Sequence, residues 1–140
     1  MADTVEFELV SPERLLVSEP VEMVVVPGAE GDFGVLPGHA PMISTVRPGV
    51  ITTYEGGKVK EAIFVAGGFA EVTGERCTVL AEEAVKIAEA DRAAVERRVQ
   101  ETREAHAGAA EEEKAASLAR LATAEALLEA IDRSAGRGAA

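Results

Sequence analysis

Val50-Ile51-Thr52-Thr53-Tyr54-Glu55-Gly56-Gly57-Lys58-Val59 decides the fold class of the chain's first part. β-Branched and aromatic side chains run up to two adjacent glycines, and such side chains suit a pleated, half-buried surface. The glycines supply the positive φ values that a tight hairpin turn requires. Val59-Lys60-Glu61-Ala62-Ile63-Phe64-Val65 then reads as the returning strand.

Working outward, the same grammar repeats. Toward the N-terminus, Val5-Glu6-Phe7-Glu8-Leu9-Val10 alternates apolar and acidic residues, which puts Val5, Phe7 and Leu9 on one face of a sheet. Ser11-Pro12-Glu13 turns the chain into Leu15-Leu16-Val17. Ser18-Glu19-Pro20 is expected to turn it again into Val21–Val26, which Pro27-Gly28 stops. Glu30 to Ile43 holds three glycines and two prolines among Phe33, Val35, Leu36, Met42 and Ile43, so it reads as a shaped loop with a buried side or a partner. Ile43–Val46 is short and extended, and Arg47-Pro48-Gly49 is a turn. Beyond the hairpin, Gly67-Gly68 inside an apolar stretch predicts a bulge or a close backbone approach. Phe69–Thr73 and Cys77–Glu82 are two further strands about Gly74-Glu75. Many short strands separated by turn signals indicate an antiparallel sandwich or barrel.

The last third is built differently. Residues 87–140 contain eighteen alanines, and no Gly or Pro occurs from Glu75 to Ala107. Val95, Val99, Thr102 and His106 recur at helical spacing with charged residues between them, and Gly108 follows as a stop signal. Glu111-Glu112-Glu113 opens a second helix, with Leu118, Leu121, Leu128 and Ile131 as its apolar positions. The two apolar faces are expected to pack together, with Gly136–Ala140 as a frayed end. The expected fold is therefore α+β: an N-terminal antiparallel β-sandwich over residues 1–86, then a C-terminal antiparallel two-helix hairpin over 87–140.

The net charge of −11 disfavours nucleic acid, whose phosphates need clustered Lys and Arg. It divides as −8 for residues 1–86 and −3 for 87–140, the second part being nearly balanced like an ion-paired helical surface. No apolar run is long enough to span a bilayer, and the N-terminus carries neither a secretory nor a transit pattern. The expectation is a protein that stays in the compartment where it is made. Cys77, the single cysteine, reads as a packed strand residue.

No catalytic signature is present: no Cys-x-x-Cys pair, Gly-x-Ser-x-Gly elbow, phosphate-binding Gly-rich loop or His-Glu-x-x-His helix. With His39 and His106 as the only histidines, a histidine metal site is not expected. His39 reads as a turn-capping residue or a partner contact, and His106 as a favourable charge at a helix C-terminus. Glu30 and Asp32 lack the alternating ligand pattern of a calcium loop and read as a solvated acidic tip.

Ala29-Glu30-Gly31-Asp32-Phe33-Gly34-Val35-Leu36-Pro37-Gly38-His39-Ala40-Pro41-Met42, with Arg47-Pro48-Gly49, Val65-Ala66-Gly67-Gly68-Phe69 and Thr78-Val79-Leu80-Ala81-Glu82, resembles the epsilon subunit of bacterial F-type ATP synthases. The similarity spans essentially the whole chain. The resemblance implies a non-catalytic rotor component of the central stalk that couples proton flow to ATP synthesis. Its implied partners are the gamma subunit and the membrane ring of c subunits, with the alpha and beta subunits of the catalytic head, at the cytoplasmic face of the bacterial inner membrane. Carried over by position, Glu30, Gly31 and Asp32 are implied at the ring-facing loop, and His39, Ala40, Pro41 and Met42 near the gamma and ring contacts. In some members the C-terminal helices bind ATP and regulate its hydrolysis. The nucleotide motif of those members, Ile/Leu-Asp-x-x-Arg-Ala, corresponds to Ala88-Glu89-Ala90-Asp91-Arg92-Ala93, where only Arg92 and Ala93 match. Glu89 and Arg92 are weak candidates for ATP as a regulatory ligand, and no other cofactor is implied.

Overall fold

The computed structural model describes residues 3–138, and the chain divides into two compact units, Met1–Lys86 and Ile87–Ala140. The described residues of the first unit form ten strands: β1 Val5–Val10, β2 Leu15–Val21, β3 Met23–Gly28, β4 Gly31–Val35, β5 Met42–Thr45, β6 Gly49–Glu55, β7 Lys58–Ala66, β8 Phe69–Val72, β9 Arg76–Leu80 and β10 Glu83–Lys86. They make two five-stranded sheets, in the orders β2-β1-β9-β8-β5 and β10-β7-β6-β3-β4. This is the expected sandwich. Val5, Phe7 and Leu9 point inward and are fully buried with Val24, Val26, Val35, Ile51, Ile63 and Val79 in one core. Each such side chain contributes about 1.5–3 kcal/mol by leaving water.

Gly56 and Gly57 carry φ values of 62° and 74°, the conformation that the β6–β7 hairpin turn demands. Gly67 and Gly68, at φ 73° and 92°, carry the chain from β7 in one sheet to β8 in the other. A Cβ on Gly68 would overlap the carbonyl oxygen of Leu80, so this is the close backbone approach that two adjacent glycines signalled.

Three features of the sandwich differ from expectation. Ser18-Glu19-Pro20 is not a turn: β2 runs unbroken to Val21. It is an edge strand, with Pro20 opposite Glu6, so the missing proline N–H costs no ladder bond on a second side. The chain turns instead at Glu22, whose N–H donates to Tyr54 O (3.0 Å) and whose carboxylate accepts from Gly56 N (2.6 Å). One pair in the sandwich, β1 with β9, is parallel. The intervening chain is long enough to make such a crossover. Finally, β10 lies along β7 where Glu83-Ala84-Val85-Lys86 shows no clear alternation.

In the second unit, Ile87–Glu89 is a single 3-10 turn that precedes helix α1, Arg92–Ala107. The α1 N-cap is Asp91, whose carboxylate accepts from Ala93 N (3.1 Å) and Ala94 N (3.3 Å). Gly108 caps the C-terminus at φ −96°, so it ends the helix without entering the left-handed region. Glu111–Glu113 is a 3-10 turn leading into α2, Lys114–Gly138. Val99 packs with Leu121, Ala124 and Leu128. Leu118, expected on the buried stripe, is 53% exposed, whereas Leu127 is 2% exposed. The true stripe runs Ser117, Leu121, Ala124, Leu127 or Leu128, Ile131, at steps of three and four, and Leu118 sits one residue off that line. The α2 backbone stays helical to Gly138, and the remainder of the frayed end expected over 136–140 lies outside the described residues.

Candidate functional site

Much of the segment expected as a loop is a strand hairpin. β3 and β4 pair antiparallel from Val24↔Val35 to Gly28↔Gly31, leaving Ala29-Glu30 as a two-residue tip. Gly31 takes φ 136°, and a Cβ on Gly28 would lie 2.8 Å from the Phe33 ring, so both glycines are needed for the turn to close under that ring.

The two acids of the tip are in different states. Asp32 Oδ1 accepts from Arg47 Nη2 at 2.5 Å, while Arg47 Nη1 donates to Gly28 O at 2.6 Å and the Arg47 backbone N–H donates to Pro27 O at 2.9 Å. Glu30 is exposed and makes no hydrogen bond or ion pair among the described residues. The solvated acidic pair expected from the sequence is therefore one free carboxylate and one clamped carboxylate. An arginine fifteen residues downstream could not be tied to Asp32 without the fold.

After β4, Pro37-Gly38 forms a type II turn, with His39 N donating to Leu36 O (3.1 Å) and Gly38 at φ 83°. Gly38 N donates to Gly74 O (2.8 Å), which fastens this turn to the β8–β9 connection. The His39 ring donates from Nδ1 to Ala40 O at 2.7 Å, since a carbonyl only accepts. Ala40 and Pro41 are exposed, and Met42 is half-buried against the core. Ile43, on edge strand β5, is 70% exposed.

Ile43 adjoins a surface that sequence reasoning missed. Register places Thr45 opposite Phe69, Phe69 opposite Leu80, Leu80 beside Val10 and Val10 opposite Leu15. Phe69, Leu80 and Leu15 are 44%, 40% and 54% exposed, so an apolar row crosses the outer face of the first sheet. The next row on that face, Ile43, Glu71, Thr78, Glu8 and Ser18, brings two carboxylates, with Arg76 ion-paired to Glu8. The signal was present in the sequence: in Arg76-Cys77-Thr78-Val79-Leu80, Cys77 and Val79 face the core, so Leu80 falls in the outward phase.

The weak nucleotide candidates do not converge. Arg92 Nε and Nη2 donate to Asp132 Oδ1 and Oδ2 at 2.6 and 3.1 Å, and Nη1 pairs with Glu96. Glu89 is exposed and shares no bond with Arg92 among the described residues. Those hydrogen bonds hold the Asp132 carboxyl below, and the Arg92 guanidinium above, their ordinary values. His106 does more than complement a helix dipole. Buried Ser117 donates its one hydroxyl proton to Lys114 O (3.1 Å), so His106 Nδ1 donates to Ser117 Oγ (2.7 Å). Desolvation raises the buried Cys77 thiol to about 12, which makes it inert near neutrality. Among the described residues no group of three or more His, Cys, Asp or Glu is placed to hold a metal.

Comparison with known proteins places these features in context. The family model for the ATP synthase Delta/Epsilon chain, beta-sandwich domain, matches residues 4–87. The ATP synthase epsilon chain of Rhodospirillum rubrum is 63% identical over 131 residues, covering 93% of this chain and 98% of that one. That of Rhodospirillum centenum is 58% identical over 137 residues, with 94% of each covered. Among solved structures, a chain of the Euglena gracilis mitochondrial ATP synthase, OSCP/F1/c-ring in rotational state 1, superposes with a TM-score of 0.79 at 27% identity, covering 94% of this chain and 83% of that chain. A chain of the Tetrahymena thermophila mitochondrial ATP synthase central stalk and c-ring gives 0.60 at 14% identity, covering 91% and 96%, a likeness of fold alone.

Proposed function

The chain belongs to the ATP synthase epsilon chains, and from that premise we propose that it couples proton flow to ATP synthesis by docking the sandwich between the gamma subunit and the ring of c subunits. An epsilon chain is a non-catalytic rotor subunit of the F-type ATP synthase central stalk. The complex is membrane-bound, and no helix among the described residues is long and apolar enough to cross a membrane, consistent with peripheral attachment.

The observation that carries the reading is the pairing of two unlike exposed surfaces on one rigid sandwich. The apolar row Phe69, Leu80, Val10 and Leu15, with exposed Ile43 in the row beside it, suits the gamma subunit, because a contact that transmits torque needs shape-matched apolar packing. The tip at Ala29-Glu30, held by Arg47, suits the ring. The turn from Pro37 through Pro41 joins β4 to β5 at the far end of both strands from the tip, beside Gly74, where exposed Ala40 and Pro41, with His39 and half-buried Met42, offer a further contact to the same partners.

Recovery of partners tests this directly. Tagged chain should retain gamma with alpha and beta, and Leu80→Asp with Phe69→Asp should abolish retention without lowering the sandwich's melting temperature. Retention of gamma by that variant would contradict the assignment. In the second unit, Arg92 is already satisfied by carboxylates, so regulation of hydrolysis by the helices in this chain is read as independent of ATP binding to them.

A further inference from the structure

We propose that Arg47 is the positioning residue of the ring-facing hairpin, clamping Asp32 so that Glu30 is the tip's one free docking charge; this rests on the reading that the hairpin faces the c ring. Arg47 lies on the connection between β5 and β6, yet reaches three points of the β3–β4 hairpin: Pro27 O through its backbone N–H, Gly28 O and Asp32 through its guanidinium. Two neighbouring links tie the same places together, Ala29 N to Thr45 O at 3.0 Å and the bridge between Gly28 and Val46. The hairpin tip is thus fixed to the base of β5, and through β5 to the first sheet, in which β5 pairs with β8.

The geometry needs arginine. A planar guanidinium can address a backbone carbonyl and a carboxylate at once, whereas a lysine ammonium on a flexible stem can hold one in good geometry. Gly49, just beyond Arg47, packs so close to Pro27 that a Cβ would sit 2.8 Å from the proline ring, so the connection is pressed against β3 on both sides of the clamp. Asp32 therefore acts through Arg47 on the hairpin's shape, while Glu30 at the turn meets whatever lies beyond it.

The test uses full-length variants added to membranes whose ATP synthase has been stripped of this chain, with amide hydrogen exchange on the free protein as the second measurement. Glu30→Gln should weaken rebinding about two- to fivefold, the worth of one exposed charge contact, and leave exchange at Ala29 unchanged. Arg47→Met and Asp32→Asn should each weaken rebinding and speed exchange at Ala29 without lowering the melting temperature of the sandwich. Asp32→Asn should add nothing once Arg47 is methionine, and Arg47→Lys should restore rebinding in part. An Asp32→Asn effect that is undiminished in the Arg47→Met background would overturn the clamp, because Asp32 would then be meeting the partner itself. Faster exchange with rebinding unchanged in every variant would leave the clamp standing, but would sink the docking reading and the positioning role with it.

Discussion

Arg92 and Asp132, forty residues apart, meet through two hydrogen bonds of 2.6 and 3.1 Å that tie the first turn of α1 to the last third of α2. Arg103 pairs with Glu125 (3.2 Å) midway along the helices, and His106 meets Ser117 at the closed end. Polar rungs fix the register of a hairpin whose apolar stripe is thinned by small residues such as Ala124 and Ala130.

The rung at Asp132 should be sensitive to acid. Its folded carboxyl is held below its ordinary value by Arg92, so its contribution is present above the unfolded carboxylate's pKa and is lost as pH falls through the folded one. Asp132→Asn should therefore lower helical melting at neutral pH and low salt. The difference from the native chain should vanish in strong acid, and also at high salt, as followed by circular dichroism. A difference that persists unchanged in acid would contradict the assignment.

The same pair bears on nucleotide. Because Asp132 and Glu96 occupy the guanidinium that the family's nucleotide motif would use, calorimetric titration of the intact chain with ATP should show no saturable heat. Saturable heat that disappears in Arg92→Ala would contradict this.

Gly68 should be among the least replaceable residues of the sandwich. Gly68→Ala places a side chain at φ 92° against the Leu80 carbonyl and should cost about 3 kcal/mol or more. Gly57→Ala, at φ 74° with nothing within 4 Å of the new Cβ, should cost about 1–2 kcal/mol. Thermal melts of the two variants decide it, since each kcal/mol moves a domain of this size by about 4–8 °C. Equal shifts would contradict the close approach.

Much of this was legible in the residues because it is periodic. Val5, Phe7 and Leu9 declare their face by alternation, and Gly56-Gly57 declares a turn that L side chains adopt only under strain. What stayed hidden depends on neighbours. Pro20 looks like a turn until β2 proves to be an edge, and Asp32 looks free until the fold delivers Arg47. The α2 stripe was misread at Leu118 because its true positions include Ser117 and Ala124, small residues with no hydrophobic signal. The apolar row on the sheet was missed for a related reason. Phe69, Leu80, Val10 and Leu15 come from four strands, and only register aligns them.

Cys77 gives the sandwich an alkaline signature. Its unfolded thiol ionises near about 8.5. The folded one holds its proton to about 12. The stability this contributes is full below the unfolded value and falls as pH rises toward the folded one. Cys77→Ala should flatten that decline in urea melts, and the native thiol should ignore alkylating reagents near neutrality. Rapid alkylation of folded protein would show the side chain to be accessible.

Coupling itself is read most directly from ATP-driven proton uptake per ATP hydrolysed in membrane vesicles stripped of this chain and then resupplied with it. Uptake should collapse on removal while hydrolysis continues. The native chain should restore it, and the Leu80→Asp, Phe69→Asp double variant should not. Full uptake without the chain, or full restoration by that variant, would mean that the sandwich surface does not transmit rotation.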